Sequence, residues 1–317
     1  MIQDILPYHP KNEYAEQNSK GPDSRSLLIL REGNSLWCRI REGVLELPPA
    51  GILREAFPSE APEKENLSAS EQKNGKSMLR YLIAVDEVRF YMPAEETEFT
   101  ETVRPLLKEQ GYGPVPAGEL RYAVPAWLRF GALTAWQAAG WYQNNRFCGR
   151  CGEPMVSGSG ERSLVCPSCG NTLYPKLCPV IIAGVVSGNR ILLTRYAGRD
   201  RYARFALVAG FAEIGETIEQ TVAREVMEET GLKVRNLRYY KSQPWAYSES
   251  LLFGFYCDVD GPDEVTVDQN ELSTAVWTER QDIPDYGDEI SLTYEMMRVF
   301  REGKEPRQQT GSGGKTD

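Results

Sequence analysis

Histidine is almost missing from this chain: His9 is the only one among 317 residues. It sits between Pro7 and Pro10 in the N-terminal segment, so a Ser/His/Asp triad, a multi-histidine metal site and a histidine general base are excluded. Catalysis has to run on carboxylates, thiols, amines or metal ions. No run of 18 apolar residues exists, and Met1 to Pro10 lacks the basic start and apolar middle of a secretory signal. The protein is expected to stay in the cytoplasm. Positive charge is also in deficit, with 36 Lys and Arg against 45 Asp and Glu and a net charge of -9. That balance excludes a general nucleic-acid or membrane-surface coat and leaves only a local basic patch open. A spread-out disulfide framework is absent too. Seven cysteines is an odd number, and four of them fall into two Cys-x-x-Cys pairs, which fits a reducing compartment.

What is present is ordinary globular material, 41% hydrophobic and 26% charged, at about twice the usual single-domain length. Strand patterns run over 27–31, 36–40, 44–47, 78–85 and 88–92, which makes 1–125 a β-rich first domain. Within it, 58–76 is Pro, Glu, Lys, Ser and Asn with almost nothing apolar, and reads as an exposed loop. A short helix is expected over 102–110. Residues 126–177 read as a helix leading into the cysteine pairs, and 178–303 as a second domain. In that domain Ser187-Gly188-Asn189 joins two strands, 217–230 is a helix that Gly231 caps, strands follow at 251–259 and 275–278, and 291–302 is a last helix. Residues 304–317, with their Gly-Ser-Gly-Gly run, read as a disordered tail.

Cys148-x-x-Cys151 and Cys166-x-x-Cys169 lie fourteen residues apart, with Gly149, Gly152 and Gly170 at the turns. Each pair presents two thiolates from one knuckle, and two knuckles close a tetrahedron around one structural Zn²⁺ per chain. Redox dithiols are the alternative. With all four positions filled by protein, no open site remains for a substrate. Cys38, Cys178 and Cys257 read as core thiols.

Glu225 and Glu229 lie one helical turn apart with Glu228 beside them, while Val222 and Val226 mark the buried face. Crowded carboxylates repel unless a cation sits among them, and hard oxygen ligands suit Mg²⁺ or Mn²⁺. The alternative is a solvated acidic face. Spacing favours the former, because Gly210, Glu216, Arg224, Glu225, Val226, Glu228, Glu229, Gly231 and Leu232 match the pattern Gly-x5-Glu-x7-Arg-Glu-apolar-x-Glu-Glu-x-Gly-apolar.

By that pattern the chain resembles Nudix hydrolases, which cleave a nucleoside diphosphate linked to another group. Ser242-Gln-Pro-Trp-Ala-Tyr-Ser-Glu-Ser250 is further similar to the signature of zinc-ribbon NADH pyrophosphatases, with Ser242, Gln243, Pro244, Trp245 and Ser250 matching and Ala246, Tyr247 and Ser248 departing. The ribbon, Tyr174-Pro175, Ala209-Gly210-Phe211 and Asn270-Glu271-Leu272 fall in the same order as in that family. The resemblance implies an α+β protein whose C-terminal domain is a Nudix α/β/α sandwich with a mixed sheet. It implies that Glu225, Glu228 and Glu229, with Glu271 and the Ala209 carbonyl, hold catalytic Mg²⁺ or Mn²⁺, with Glu216 and Arg224 in support. Phe211, Tyr174, Gln243, Trp245 and Ser250 would contact the nucleotide, Tyr174 coming from the second subunit of a homodimer. The implied reaction is hydrolysis of NADH or NAD to nicotinamide mononucleotide and AMP. Removal of the 5′ NAD cap from RNA is the same-chemistry alternative, and a non-catalytic nucleotide sensor the different-class one. Five arginines at 190, 195, 199, 201 and 204 against Asp200 form either an exposed hairpin surface or a phosphate funnel.

Overall fold

The computed structural model describes residues 1–56, 72–73, 76–94, 97–197 and 204–307. Most of the 58–76 segment, Arg199, Arg201 and the tail after Arg307 lie outside the described residues. The chain divides into two compact units, one of residues 4–176 and one of residues 1–3 with 177–317.

In the 4–176 unit the expected strand over 27–31 is broken in two. Leu27–Leu28 pairs with Val88–Pro93, and Arg31–Glu32 pairs with Ser35–Arg41, so the chain changes sheets in between. One sheet runs in the order Pro10–Lys11, Leu79–Val85, Val88–Pro93, Leu27–Leu28; the other runs Gly113–Pro116, Ser35–Arg41, Arg31–Glu32, with Val44–Glu46 also on Ser35–Arg41. Leu28, Trp37, Tyr81, Val103 and Leu107 share one core, the last two coming from the helix Thr97–Glu109. Helix Ala126–Asn144, grouped with the ribbon in the sequence reading, packs on strands Leu79–Val85 and Val88–Pro93 and so belongs to this unit. A three-stranded ribbon sheet follows, built from Val156–Ser157, Leu164–Val165 and Thr172–Leu173.

The second unit is a six-stranded mixed sheet between two helices. Its elements are β1 (Cys178–Ser187), β2 (Arg190–Tyr196), β3 (Val208–Phe211), α1 (Ile218–Thr230), β4 (Val234–Trp245), β5 (Ser250–Val259), β6 (Leu272–Glu279) and α2 (Leu292–Arg301). The order is β4-β5-β1-β2-β6, with β1 and β5 parallel and β3 paired to β1 beyond the point where β2 ends its pairing. Side chains alternate along β1 with period two. Ile181, Ala183 and Val185 join Val222 and Val226 of α1, whereas Val180, Ile182 and Val186 join Leu292, Met296 and Phe300 of α2. Both faces of the sheet are therefore covered, as in the expected sandwich.

Two strands were not legible as such. β3 is only four residues long. β4 carries charged and polar residues nearly throughout, and the signature residues Ser242 to Trp245 form its last four positions. As an edge strand β4 leaves one side unpaired, which also makes Pro244 tolerable there. Only Ala246–Ser248 is a turn, a single 3-10 turn. Past α2 the chain stays in place through Glu305, which pairs with Arg280 at 2.7 Å.

Candidate active site and metal centres

Helix α1 starts at a capping box. The Thr217 hydroxyl accepts from the Gln220 N–H while the Gln220 side chain accepts from the Thr217 N–H, and Gly231 closes the far end in the left-handed conformation. Val222 and Val226 are fully buried and fix the rotation of the helix. Glu225 and Glu229 are thereby drawn inward, to 8% and 1% exposure. Strand β3 passes close by. A Cβ at Gly210 would lie 1.9 Å from Glu225 Cδ, so only glycine leaves room for the carboxylate.

Arg224 organises the supporting residues. Its Nε donates to Glu216 Oε1 at 2.6 Å and its Nη2 to Glu216 Oε2 at 2.9 Å, a bidentate pair. Nη1 donates to Glu225 Oε1 at 2.8 Å and to Glu228 Oε2 at 2.9 Å, and Nη2 also reaches the Phe211 carbonyl at 2.9 Å. Glu216 further accepts from the Glu213 N–H at 3.1 Å and the Thr221 hydroxyl at 3.0 Å. The Arg224 guanidinium, followed by the Glu213 N–H, holds the Glu216 carboxyl down at about 2. Thr221 was not singled out from the sequence, where it looks like any helical threonine.

Glu225, Glu229 and Glu271 each bring a carboxylate oxygen within 4.8 Å of the others. Glu228 is not in this triangle; its half-exposed carboxylate lies on Arg224. The resemblance placed Glu228 beside Glu225 and Glu229 as a ligand; here its carboxylate is turned to Arg224 instead. Glu229 Oε2 is buried without a hydrogen-bond partner. Burial, then the charges of Glu225, Glu271 and Glu228, raise the Glu229 pKa from 4.5 to about 8, and burial also raises that of Glu225. Two full charges at such spacing repel by about 3 kcal/mol at an effective dielectric of 20. A proton on Glu229 or a cation among the three removes that cost, and an orphaned buried oxygen facing two more carboxylates is the donor set of a hard divalent ion. Ala209 precedes Gly210 in β3, opposite Ile182.

The four ribbon sulfurs also come together. Cys148 and Cys169 Sγ lie 3.7 Å apart, Cys151 and Cys166 3.4 Å, and Cys151 and Cys169 3.5 Å. Sulfurs bound to one Zn²⁺ at about 2.3 Å stand about 3.8 Å from each other, close to what is found. Backbone N–H groups of Arg150 and Cys169 donate to Cys148 and Cys166 Sγ, favouring thiolate, and lower both thiols. Cys38 and Cys257 are buried core thiols, pushed up to about 12 by that burial, and Cys178 is half-buried.

The expected nucleotide contacts differ in their local settings. Phe211 is 54% exposed at the end of β3. Tyr174, in the other unit, is exposed and donates to Glu161 Oε1 at 2.9 Å. Trp245 is half-buried and meets Tyr247 edge-on at 5.0 Å. Gln243 is fully buried: its amide donates to the Ile290 carbonyl at 2.7 Å and accepts from the Leu292 N–H at 2.8 Å, capping α2. Ser250 is buried too, with its hydroxyl on Ser248. Both side chains are engaged within the fold. Of the arginine patch, Arg190 pairs with Asp263 at 2.6 Å, Arg195 lies 3.9 Å over Phe205 and Arg204 stacks on Tyr286. Each described arginine has a partner within the fold, which favours the exposed-surface reading.

Residues 179–299 match the NUDIX domain family, and residues 143–174 match the NADH pyrophosphatase zinc ribbon domain family. The chain is 44% identical over 149 residues to the protein named NAD-capped RNA hydrolase NudC of Klebsiella pneumoniae subsp. pneumoniae, covering 47% of this chain and 57% of that one. The like-named protein of Salmonella typhi is 43% identical over 148 residues, with the same coverage of 47% and 57%. The match spans little more than half the length of these curated relatives. A crystal structure of a NUDIX hydrolase from Nitrosomonas europaea aligns with 50% of this chain and 91% of its own at 23% identity and a TM-score of 0.42. The chain thus joins an NADH pyrophosphatase zinc ribbon domain, at residues 143–174, to a NUDIX domain, at residues 179–299.

Proposed function

We propose that the protein hydrolyses the pyrophosphate bond of NADH or NAD to nicotinamide mononucleotide and AMP, and that the same chemistry removes a 5′ NAD cap from RNA. The observation that carries this reading is the carboxylate triangle of Glu225, Glu229 and Glu271, with its unpartnered buried oxygen beside Gly210. A divalent ion held by these residues, together with the Ala209 carbonyl, would neutralise the diphosphate and lower the pKa of a nearby water. Arg224 holds Glu225 in place and, through the Phe211 carbonyl, ties the end of β3 to the helix. Exposed Phe211 then offers a flat face to a base. Water forms one new P–O bond, the bridging P–O bond breaks, and a carboxylate of the cluster takes the proton, since no histidine belongs to this unit.

The relatives' name supports capped RNA as a substrate. A homodimer in which Tyr174 of one copy stacks on the nucleotide held by the other is the assembly that goes with this reading. None of the seven cysteines is in a disulfide, which supports a reducing, cytoplasmic setting; no described helix is long and apolar enough to cross a membrane. The different-class reading, a nucleotide sensor, has no use for three converging carboxylates. Turnover of NADH, NAD and NAD-capped RNA with Mg²⁺ or Mn²⁺ tests the proposal. Cleavage of at least one, with both mononucleotide products formed, supports it; tight binding without turnover of any overturns it in favour of the sensor.

A further inference from the structure

In the 4–176 unit, strand Leu79–Val85 is paired along one side by Val88–Pro93 but on the other, among the described residues, only at Ala84 and Val85, by Pro10–Lys11. Five side chains from four separate segments meet at its open edge. Arg80 and Tyr81 are neighbours on the strand, Tyr14 comes from the helix Tyr14–Ser19, Tyr142 from the helix Ala126–Asn144, and Arg162 from the ribbon hairpin. The Arg162 guanidinium donates to the Leu82 carbonyl and lies 4.7 Å over the Tyr14 ring and 5.9 Å over Tyr81. Arg80 lies 4.4 Å over the Tyr142 ring. The Tyr142 hydroxyl feels both guanidinium charges.

Charge in this cluster is uncompensated. Among the described residues no carboxylate forms an ion pair with half-buried Arg80 or Arg162, whereas buried Arg89 on the neighbouring strand pairs with Asp23 at 2.7 Å. Glu161, next to Arg162 in the chain, accepts from Tyr174, and exposed Glu13 reaches Tyr81 only as a weak charge. Burial lowers the pKa of Arg80, the sign of a cation held away from water without a counter-charge. The Tyr81 hydroxyl, on a residue 2% exposed, and Arg162 Nη1 have no hydrogen-bond partner, and the hydroxyl of Tyr142, 1% exposed, faces only that of Tyr14. Buried polar groups in folded proteins are almost always satisfied, so two half-buried guanidiniums without a counter-charge, an unpartnered Arg162 nitrogen and a buried Tyr81 hydroxyl in one place describe the complement of an oxyanion. Burial also pushes the Tyr81 hydroxyl up to about 12, which keeps it a donor at neutral pH. A guanidinium fork matches the oxygens of a phosphate bidentately, and hydroxyl donors beside it can reach the oxygens a planar carboxylate lacks.

We propose that this edge of the N-terminal sheet is a phosphate-binding site in which Arg80 and Arg162 supply charge and Tyr81 and Tyr142 supply hydroxyl donors. The site is separate from the carboxylate triangle and does not depend on the hydrolase reading. Its ligand is a phosphate group, either free or a diester of an RNA backbone.

Calorimetric titration of the full chain with inorganic phosphate, without added divalent cation, tests this. Wild type should bind saturably. Arg80→Met should weaken binding by about tenfold or more, Arg80→Lys by less because charge is kept, and Tyr81→Phe by about threefold with charge untouched. Glu229→Gln should bind phosphate as wild type does, which separates this site from the Nudix cluster. A short RNA without terminal phosphates that displaces phosphate from wild type would assign the diester as the source; failure to displace would assign the free anion or a monoester. Absence of saturable binding in wild type, or equal affinities in wild type, Arg80→Lys and Tyr81→Phe, overturns the proposal. Tyr81→Phe only deletes an unpaired hydroxyl, so the comparison stands even if Arg80→Met does not fold.

Discussion

Gly210 lies so close under Glu225 that a methyl group at position 210 would stand 1.9 Å from the glutamate Cδ. Strand β3 and helix α1 are therefore locked at one spacing, and the carboxylate fills the volume a side chain would take. Gly210→Ala is expected to push Glu225 out of the triangle. Activity should fall by about a hundredfold or more, with a stability loss of about 1–3 kcal/mol from overpacking. Paired kinetics and thermal melts check this; normal turnover would show that the close approach does not position the cluster.

Glu229→Gln keeps shape and removes one charge. Turnover with Mg²⁺ or Mn²⁺ should drop at least about a hundredfold while the fold stays intact. Circular dichroism alongside product assays separates the two effects.

The same residue sets a pH dependence in cation-free protein. Its folded-state pKa is raised from 4.5 to about 8, so the folded form keeps a proton that the unfolded chain releases. That contribution to stability is fully present below pH 4.5 and is lost as pH rises through about 8. Urea unfolding at pH 5 and pH 9 should show wild type losing on the order of 2 kcal/mol more than Glu229→Gln. Added Mg²⁺ should shrink the difference, since a cation stabilises the ionised carboxylate. A parallel pH response in both proteins would count against the buried charge.

Arg224 spends all five of its N–H donors on Glu216, Glu225, Glu228 and the Phe211 carbonyl. Lysine has the charge but not the planar fork. Arg224→Lys should lower kcat by about tenfold or more, with a smaller effect on KM, because it loosens ligand positions rather than substrate contacts. A change confined to KM would place Arg224 on the substrate instead.

Metal analysis should find one Zn²⁺ per chain, lost in Cys151→Ser together with stability of the 4–176 unit. Glu225, Glu229 and Glu271 are untouched by this change. No zinc, or a Cys148 to Cys151 disulfide in reducing buffer, would refute the ribbon centre.

Gln243→Ala would leave the Ile290 carbonyl and the Leu292 N–H unpaired inside the protein. A loss of about 1–3 kcal/mol is expected, with KM for NADH and for ADP-ribose changing in parallel. Trp245→Ala, at a half-buried position, should instead raise KM for the nucleotide by more than it lowers stability.

Local pattern alone determined the features whose causes are local in the chain. Period 3.6 with a Thr217 cap and Gly231 end specified α1, so Glu225 and Glu229 had to share a face. Two Cys-x-x-Cys turns specified the ribbon, because two thiols three residues apart can leave one knuckle together. Alternation and turn residues marked most strands. Three things were decided only by tertiary packing. Glu271 joins Glu225 and Glu229 from the far end of the loop before β6, a convergence that residue spacing does not encode. Gln243 looks like a surface or ligand-binding amide in sequence, yet the end of α2 consumes both its donor and its acceptor. Arg80 and Arg162 lie far apart in the chain and within no shared motif; only the open edge of a strand, reached by a helix and a ribbon hairpin, sets their charges beside the same tyrosines. Sequence spacing reports on neighbours along one element, whereas burial, hydrogen-bond partners and clustered charge depend on which elements the sheet brings side by side.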